Sequence, residues 1–351
     1  MHAMSLQVNV CLYNILPFAF ISNVMHLLTY AGTRLYMSKM KIFLVTMLVL
    51  GTMFTVFSQP ISMISEKDGV WIKDGVQKVF FYQKTPNSLD GKYARSNYLH
   101  PVFGLDGEIL TEDFPADHFH HRGIFWTWHQ LWKDSVRLSD PWMCDNFLQE
   151  VTKIRFIKGL NLTGILVVDI LWKSPLWLKN GVQSAVIHEN TRITVFPVSN
   201  GCRRLDFRIE LKALENGIRI GGSEDEKGYG GFSVRMLLVP GMKFTSAGTD
   251  IVPQNLGMIA GAEMDISGRV GEKGKLAGIM MVCRSSNPDY PEKWIIRKEK
   301  SMQNCAWPGN RTVGIKVSKP LVLNYSIIIH RGDVSNSGLL PILKSILEES
   351  K

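Results

Sequence analysis

Cysteine is scarce in this chain, five residues in 351, and none lies in a C-x-x-C pair. Such wide spacing supplies no close-set ligands for a structural zinc site, and nothing around any cysteine points to a thiol nucleophile. Dense basic blocks are missing too. The formal charge of +9 owes three units to Arg34, Lys39 and Lys41, because residues 1–58 contain no acid. The rest of the chain sets 37 of the 40 basic residues against all 31 acids. Binding to a nucleic-acid backbone needs clustered cations, so nucleic acid is not an expected partner. There is no internal repeat, no low-complexity linker and no long amphipathic helical pattern through the middle of the chain. What remains is an ordinary globular composition, 45% apolar and 20% charged, with length for one large β domain or two smaller ones.

The amino terminus reads as an export signal. Met37-Ser38-Lys39-Met40-Lys41 gives a positive start, Ile42 to Phe57 is almost wholly apolar, and Val56-Phe57-Ser58 favours cleavage before Gln59. The apolar run falls short of the ~20 residues that span a bilayer. A signal peptide over 37–58 is therefore expected, with residues 1–36 an extension ahead of the true start. A periplasmic or extracellular location follows, with no stable membrane span after cleavage. Cys144, Cys202, Cys283 and Cys305 remain in the exported part, as one disulfide or as buried free thiols.

Beyond residue 58 the periodicity is that of strands. Leu205-Asp206-Phe207-Arg208-Ile209-Glu210-Leu211-Lys212 alternates apolar and charged residues without a break, as a strand with one buried face requires. Val79–Tyr82, Gly164–Trp172, Thr191–Val198, Phe232–Val239, Leu276–Cys283, Trp294–Arg297, Thr312–Val317 and Leu321–His330 are further strands. Turn clusters such as Ser199-Asn200-Gly201, Glu215-Asn216-Gly217 and Asn287-Pro288-Asp289 separate them. Helical spacing occurs at Ser337–Glu349, with Leu339, Leu340, Leu343, Ile346 and Leu347 on one side. The pattern predicts an all-β protein: a large antiparallel β-sandwich over 59–351 with a short C-terminal helix.

Chemistry concentrates in Asp117-His118-Phe119-His120-His121-Arg122-Gly123, which runs into Ile124-Phe125-Trp126-Thr127-Trp128-His129. If this stretch is extended, His118, His120 and Arg122 share one face and His121 takes the other. His118 and His120 then form a pair of metal ligands that Asp117 or a carboxylate elsewhere completes, and a divalent metal is the cofactor such a set would admit. The same imidazoles can instead move protons while Arg122 grips a carboxylate through two hydrogen bonds. Trp126 and Trp128 share the parity of His118 and His120 and offer a platform for a sugar ring. His129 lies on the opposite parity and is the weaker candidate. A second constellation, Ser223-Glu224-Asp225-Glu226-Lys227-Gly228-Tyr229-Gly230-Gly231 followed by Arg235, sets acids beside a glycine-rich turn. It can present a general base or metal ligands, with Tyr229 and Arg235 positioning substrate oxygens. His330, at the end of a long apolar strand, is a further candidate for the same pocket.

These motifs resemble the bacterial PmoA-like family. The resemblance rests on Tyr98-Leu99-His100-Pro101, Gly104 with Asp106-Gly107, and Asp117-His118 with His120-His121-Arg122-Gly123. Asp225, Lys227 through Gly231, Arg235, Ala262 through Asp265 to Gly268, Asn287-Pro288, Trp294 and His330-Arg331-Gly332-Asp333 extend it over about residues 75 to 335. Phe119 stands where the family pattern has proline, and His100 where arginine is common. The family carries a methane-oxygenase label, but a methane-oxidising membrane subunit needs several spanning helices. What the resemblance implies is a secreted β-sandwich similar to the galactose-mutarotase-like supersandwiches, with Asp225 and Arg235 in its site. The expected activity is acid–base catalysis by histidine and carboxylate on a glycan or sugar acid, as a hydrolase, lyase or epimerase. A non-catalytic carbohydrate-binding protein is the alternative, and a metal-dependent oxidase the third.

Overall fold

The computed structural model describes residues 60–335 and 338–349, all within the compact unit Ser58–Lys351. The expected leader and the extension before it lie outside the described residues. The described chain is almost all β, with large antiparallel sheets and one short C-terminal helix.

The first large sheet has eight strands. Their spatial order is Ile61–Ser65, Gly69–Asp74, Gln77–Gln83, Tyr98–Val102, Ile124–Trp128, Gly230–Val234, Gln303–Ala306 and Lys293–Ile295. The second has nine, in the order Leu148–Lys158, Gly164–Lys179, Val182–Val195, Cys202–Ala213, Leu321–Arg331, Ala277–Cys283, Glu263–Gly268, Lys243–Ser246 and Thr249–Asp250. Every pairing between these strands is antiparallel. One apolar core takes Ile124, Trp126, Trp128 and Phe232 from the eight-stranded sheet. From the nine-stranded sheet it takes Leu205, Phe207, Ile209, Leu211, Ile327 and Ile329, so the two sheets pack as a sandwich.

The perfect alternation at Leu205–Lys212 has its expected outcome, since Leu205, Phe207, Ile209 and Leu211 are buried while Arg208 and Lys212 face solvent. The strands at Gly164 and Cys202 run longer than periodicity suggests, because paired neighbours extend them beyond their alternating centres. The helix Leu339–Glu348 closes the outer face of the nine-stranded sheet. It buries Leu339, Leu343 and Ile346 against Cys202, Met280, Val282 and Ile328, each worth about 1.5–3 kcal/mol of apolar burial. Leu340, expected on that stripe, is exposed. Glu349 caps the arrangement by pairing with Arg204 and Arg284. Cysteine chemistry divides: Cys283 of the nine-stranded sheet and Cys305 of the eight-stranded sheet form a disulfide, and Cys144 and Cys202 are free.

A carboxyl group interrupts the core beside the central strand. Glu189, fully buried, accepts hydrogen bonds from Asn97 Nδ2 (2.9 Å), Trp126 Nε1 (2.8 Å), Thr191 Oγ1 (2.6 Å) and Trp172 Nε1 (2.7 Å). Burial raises its carboxyl above the usual range, and these donors oppose that rise.

Candidate functional site

The strand Ile124–Trp128 decides where the chemistry lies. Its even-numbered residues face the sandwich interior, whereas Phe125 belongs to a separate apolar cluster with Tyr98, Trp142 and Met302. The opposite, outer face of the eight-stranded sheet therefore carries the histidines. Residues 115–121 are two successive turns rather than a strand: His118 N–H bonds to Pro115 O and His121 N–H to His118 O, both at 2.9 Å. Gly123 then brings the chain into the sheet with φ of 29°, and a Cβ there would lie 1.9 Å from Leu99 O. Only glycine allows that approach.

The turns overrule the parity expected of an extended segment and gather all three imidazoles. The His118 and His121 rings stack with centroids 4.6 Å apart and an interplanar angle of 7°. His120 stands edge-on to both, 4.5 Å from His121 and 5.6 Å from His118. Together with His129, Trp142, Ser223, Asp225, Lys227 and Tyr229 they line a cavity of about 330 Å³. Among the described residues that line it, Asp225 is the one carboxylate.

Two imidazoles are held by aspartates. Asp117 Oδ2 lies 2.7 Å from His118 Nδ1, and Asp140 Oδ2 lies 3.0 Å from His129 Nδ1. With Nδ1 as the donor in each pair, Nε2 is the basic nitrogen. Asp117 is itself gripped by Arg235, whose Nη2 and Nη1 donate to its two oxygens at 2.8 and 3.0 Å. Burial would raise the Asp117 carboxyl, but the bonds from Arg235 and His118 win and hold it at about 2. His120 is pushed down to about 3, chiefly by burial and further by the Arg95 guanidinium and neighbouring imidazoles. His121 falls well below its usual value through burial and the rings of His120 and His118. Both are neutral near pH 7 and act as hydrogen-bonding groups.

The acid loop forms the facing wall. Asp225 is partly spent on its own turn, where Oδ1 accepts from Ser223 Oγ (2.6 Å), Lys227 N (3.2 Å) and Gly228 N (3.3 Å). Burial opposes ionisation, yet these donors and the Lys227 charge hold its carboxyl below the usual range. Tyr229 packs 5.8 Å from Trp142 and accepts from Arg297 Nη2 at 2.6 Å.

Five expected site residues take other places. Arg122 is fully buried away from the cavity, with Nη1 on Asp113 (3.0 Å) and Tyr98 Oη (3.3 Å) and Nη2 on Asn87 O (2.9 Å) and Tyr93 O (2.6 Å). It ties the hairpin Asn87–Arg95 to the sheet, and its one unpartnered donor, Nε, is buried where a ligand carboxylate in the cavity cannot reach it. Arg235 holds Asp117 and Glu112, so it positions a site residue instead of meeting substrate. Trp126 and Trp128 face the core, their indole N–H groups spent on Glu189 and Trp307 O, and cannot be a sugar platform. His330 is buried on the nine-stranded sheet, its Nε2 2.7 Å from Asp265 Oδ1. Conversely, His129, Trp142 and Lys227 join the cavity. The signal in the sequence is the aspartate eleven residues beyond His129; parity counted from His118 does not reach it, because two turns precede the strand.

As metal ligands, Asp117, His118 and His120 do not fit. Both Asp117 oxygens are engaged by Arg235, and His118 Nδ1 faces Asp117 instead of a shared centre. Among the described residues, the group of three or more His, Cys, Asp or Glu side chains whose ligand atoms converge within 4.8 Å is Cys283, Glu292 and Cys305.

No curated protein matches the chain. A family model described as a family of unknown function matches residues 70–340, a span that holds the turns, the acid loop and both aspartate–histidine pairs. The chain belongs to the Family of unknown function (DUF6807).

Proposed function

We propose that this protein is a carbohydrate-active enzyme that moves a proton at carbon beside a carbonyl or carboxylate of a sugar acid or glycan residue, by elimination or epimerisation. The observation that carries this reading is the pair of aspartate-held imidazoles, His118 and His129, opening on one cavity whose described lining contains a single carboxylate. Glycoside hydrolysis by the common route needs two carboxyl groups across the scissile bond. Here the bases are imidazoles. His118 Nε2, its tautomer fixed by Asp117, takes the proton; His129 Nε2, fixed by Asp140, returns one. Neutral His120 and His121 donate hydrogen bonds to the oxygen on which negative charge develops. Lys227 offers the cation that Arg122 cannot, and Trp142 with Tyr229 supplies the apolar wall assigned by sequence to Trp126 and Trp128.

The methane-oxygenase name attached to the PmoA-like resemblance gains no support from this geometry. Among the described residues no helix is long and apolar enough to cross a membrane. Export to the periplasm or cell exterior remains part of the proposal, resting on the leader-like sequence at 37–58.

The test is a screen of the exported chain against uronic-acid-containing plant and algal glycans and free sugar acids, with deuterium oxide as solvent. Product formation or deuterium incorporation at one carbon, lost in His118→Ala and His129→Ala while ligand is still retained, is the expected result. Saturable retention with no product and no exchange would instead make this a carbohydrate-binding protein.

A further inference from the structure

The disulfide between Cys283 and Cys305 has a third neighbour that an ordinary staple does not need. Glu292 Oε2 lies 2.6 Å from Cys305 Sγ, and its other oxygen accepts from Asn287 Nδ2 at 2.9 Å. The carboxyl is 4% exposed and, among the described residues, has no lysine, arginine or histidine partner. An isolated buried carboxylate is costly unless a cation or several donors compensate it. Its hydrogen bonds come from Asn287 and, at 3.5 Å, from the Tyr325 hydroxyl.

Three ligand side chains, two sulfurs and a carboxyl, thus meet with ligand atoms within 4.8 Å of one another, on segments of both sheets. The Cα atoms of the two cysteines are 7.1 Å apart, a span that two thiolates on either side of a cation can fill, with metal–sulfur bonds of about 2.3 Å. Glu292 also lines a cavity of about 350 Å³ with Asp289, Glu226 and Ala306, the residue after Cys305, which gives an ion a route to the cluster. The local rule that close sequence spacing marks a metal site misses this group, because strands of two different sheets bring it together.

We propose that Cys283, Glu292 and Cys305 form a site for a thiophilic divalent cation such as zinc, occupied when the cysteines are reduced, the disulfide being the form that an oxidising compartment maintains. A dithiol reductant breaks the Cys283–Cys305 bond, supplies two electrons and becomes a disulfide, leaving two protein thiols. The cation then binds both sulfurs and the Glu292 carboxylate, and the two thiol protons leave to solvent together with the proton held by the buried carboxyl. A water molecule from the adjoining cavity can complete four-coordination. The site is separate from the histidine cavity and independent of the proton-transfer reading.

The test uses the full chain, reduced by a non-chelating phosphine under nitrogen and titrated with cobalt(II) and then zinc. Expected are one equivalent bound, a thiolate-to-cobalt charge-transfer band in the near ultraviolet, and its bleaching by zinc. Cys283→Ser and Cys305→Ser should abolish the band, and Glu292→Gln should weaken zinc binding about tenfold or more. The cobalt band of the unmodified chain is decisive even if a variant misfolds. No band after complete reduction, a disulfide that resists reduction in the folded chain, or equal zinc content in Cys283→Ser and wild type would each overturn the proposal.

Discussion

An imidazole serves as base or donor according to what holds its other nitrogen, and four histidines of this cavity divide on that point. His118 and His129 each have a carboxylate on Nδ1, whereas His120 and His121 are kept neutral by burial. Asp117→Asn should therefore cut turnover roughly 10²–10⁴-fold with little change in KM, because an amide no longer fixes the His118 tautomer. Steady-state kinetics alongside circular dichroism would separate this from misfolding. The tryptophans give a second contrast. Trp142→Ala should weaken ligand binding about tenfold through the lost aromatic wall and, because Trp142 is buried with Tyr98, Phe125 and Met302, also cost about 3–5 kcal/mol of stability. Trp126→Phe removes one donor from buried Glu189 and should cost about 1–3 kcal/mol in urea unfolding, with ligand affinity unchanged. If Trp126→Phe instead abolished binding with stability preserved, the assignment of faces would be wrong.

Between residue and fold lie the segments that present the site. The histidine turns are anchored by Gly123, and the acid loop is anchored by glycine contacts of its own. A Cβ on Gly228 would sit 2.7 Å from Asn310 N and 2.8 Å from Gly309, at φ of 66°. Gly228→Ala should thus shift the loop that carries Asp225, Lys227 and Tyr229. The expected outcome is a loss of about 1 kcal/mol or more in stability together with a larger fall in ligand affinity, read by calorimetric titration. Strands were legible from the sequence where one face is wet, as at Leu205–Lys212. Ile124–Trp128 is central and buried on both faces, so alternation cannot say which side meets the core. Parity does not carry from His118 to Trp128, because two turns and a left-handed glycine intervene.

The molecule as a whole registers these buried groups in its acid stability. His120 ionises near its usual 6.5 when unfolded but only at about 3 when folded. Between those values the unfolded chain holds the proton and the folded one does not, so stability is full above about pH 6.5 and falls as the solution is acidified. Asp117, held at about 2 against a usual 3.8, contributes stability above that usual value and loses it further down. Both act in one direction. Glu292, raised by burial to about 8 against a usual 4.5, acts the other way, so the comparison of variants is the readout: from pH 7 to pH 4 His120→Gln should lose less stability than the wild type, by at most about 1.4 kcal/mol per pH unit. A variant with an unchanged slope would mean that His120 is not sheltered from water.

Sequence alone determined that this is an all-β chain and that its imidazoles and acids cluster at residues 117–129 and 223–229, because a period of two and a cluster of imidazoles are local properties. Tertiary structure decided everything that joins distant residues. It turned Trp126 and Trp128 inward and committed Arg122 to the hairpin. It also set Asp140 on His129 and closed Cys283, Glu292 and Cys305 into one buried group. Chain reversals reset which face a residue occupies, and a charged group takes the partner that folding brings nearest, which no spacing along the chain encodes.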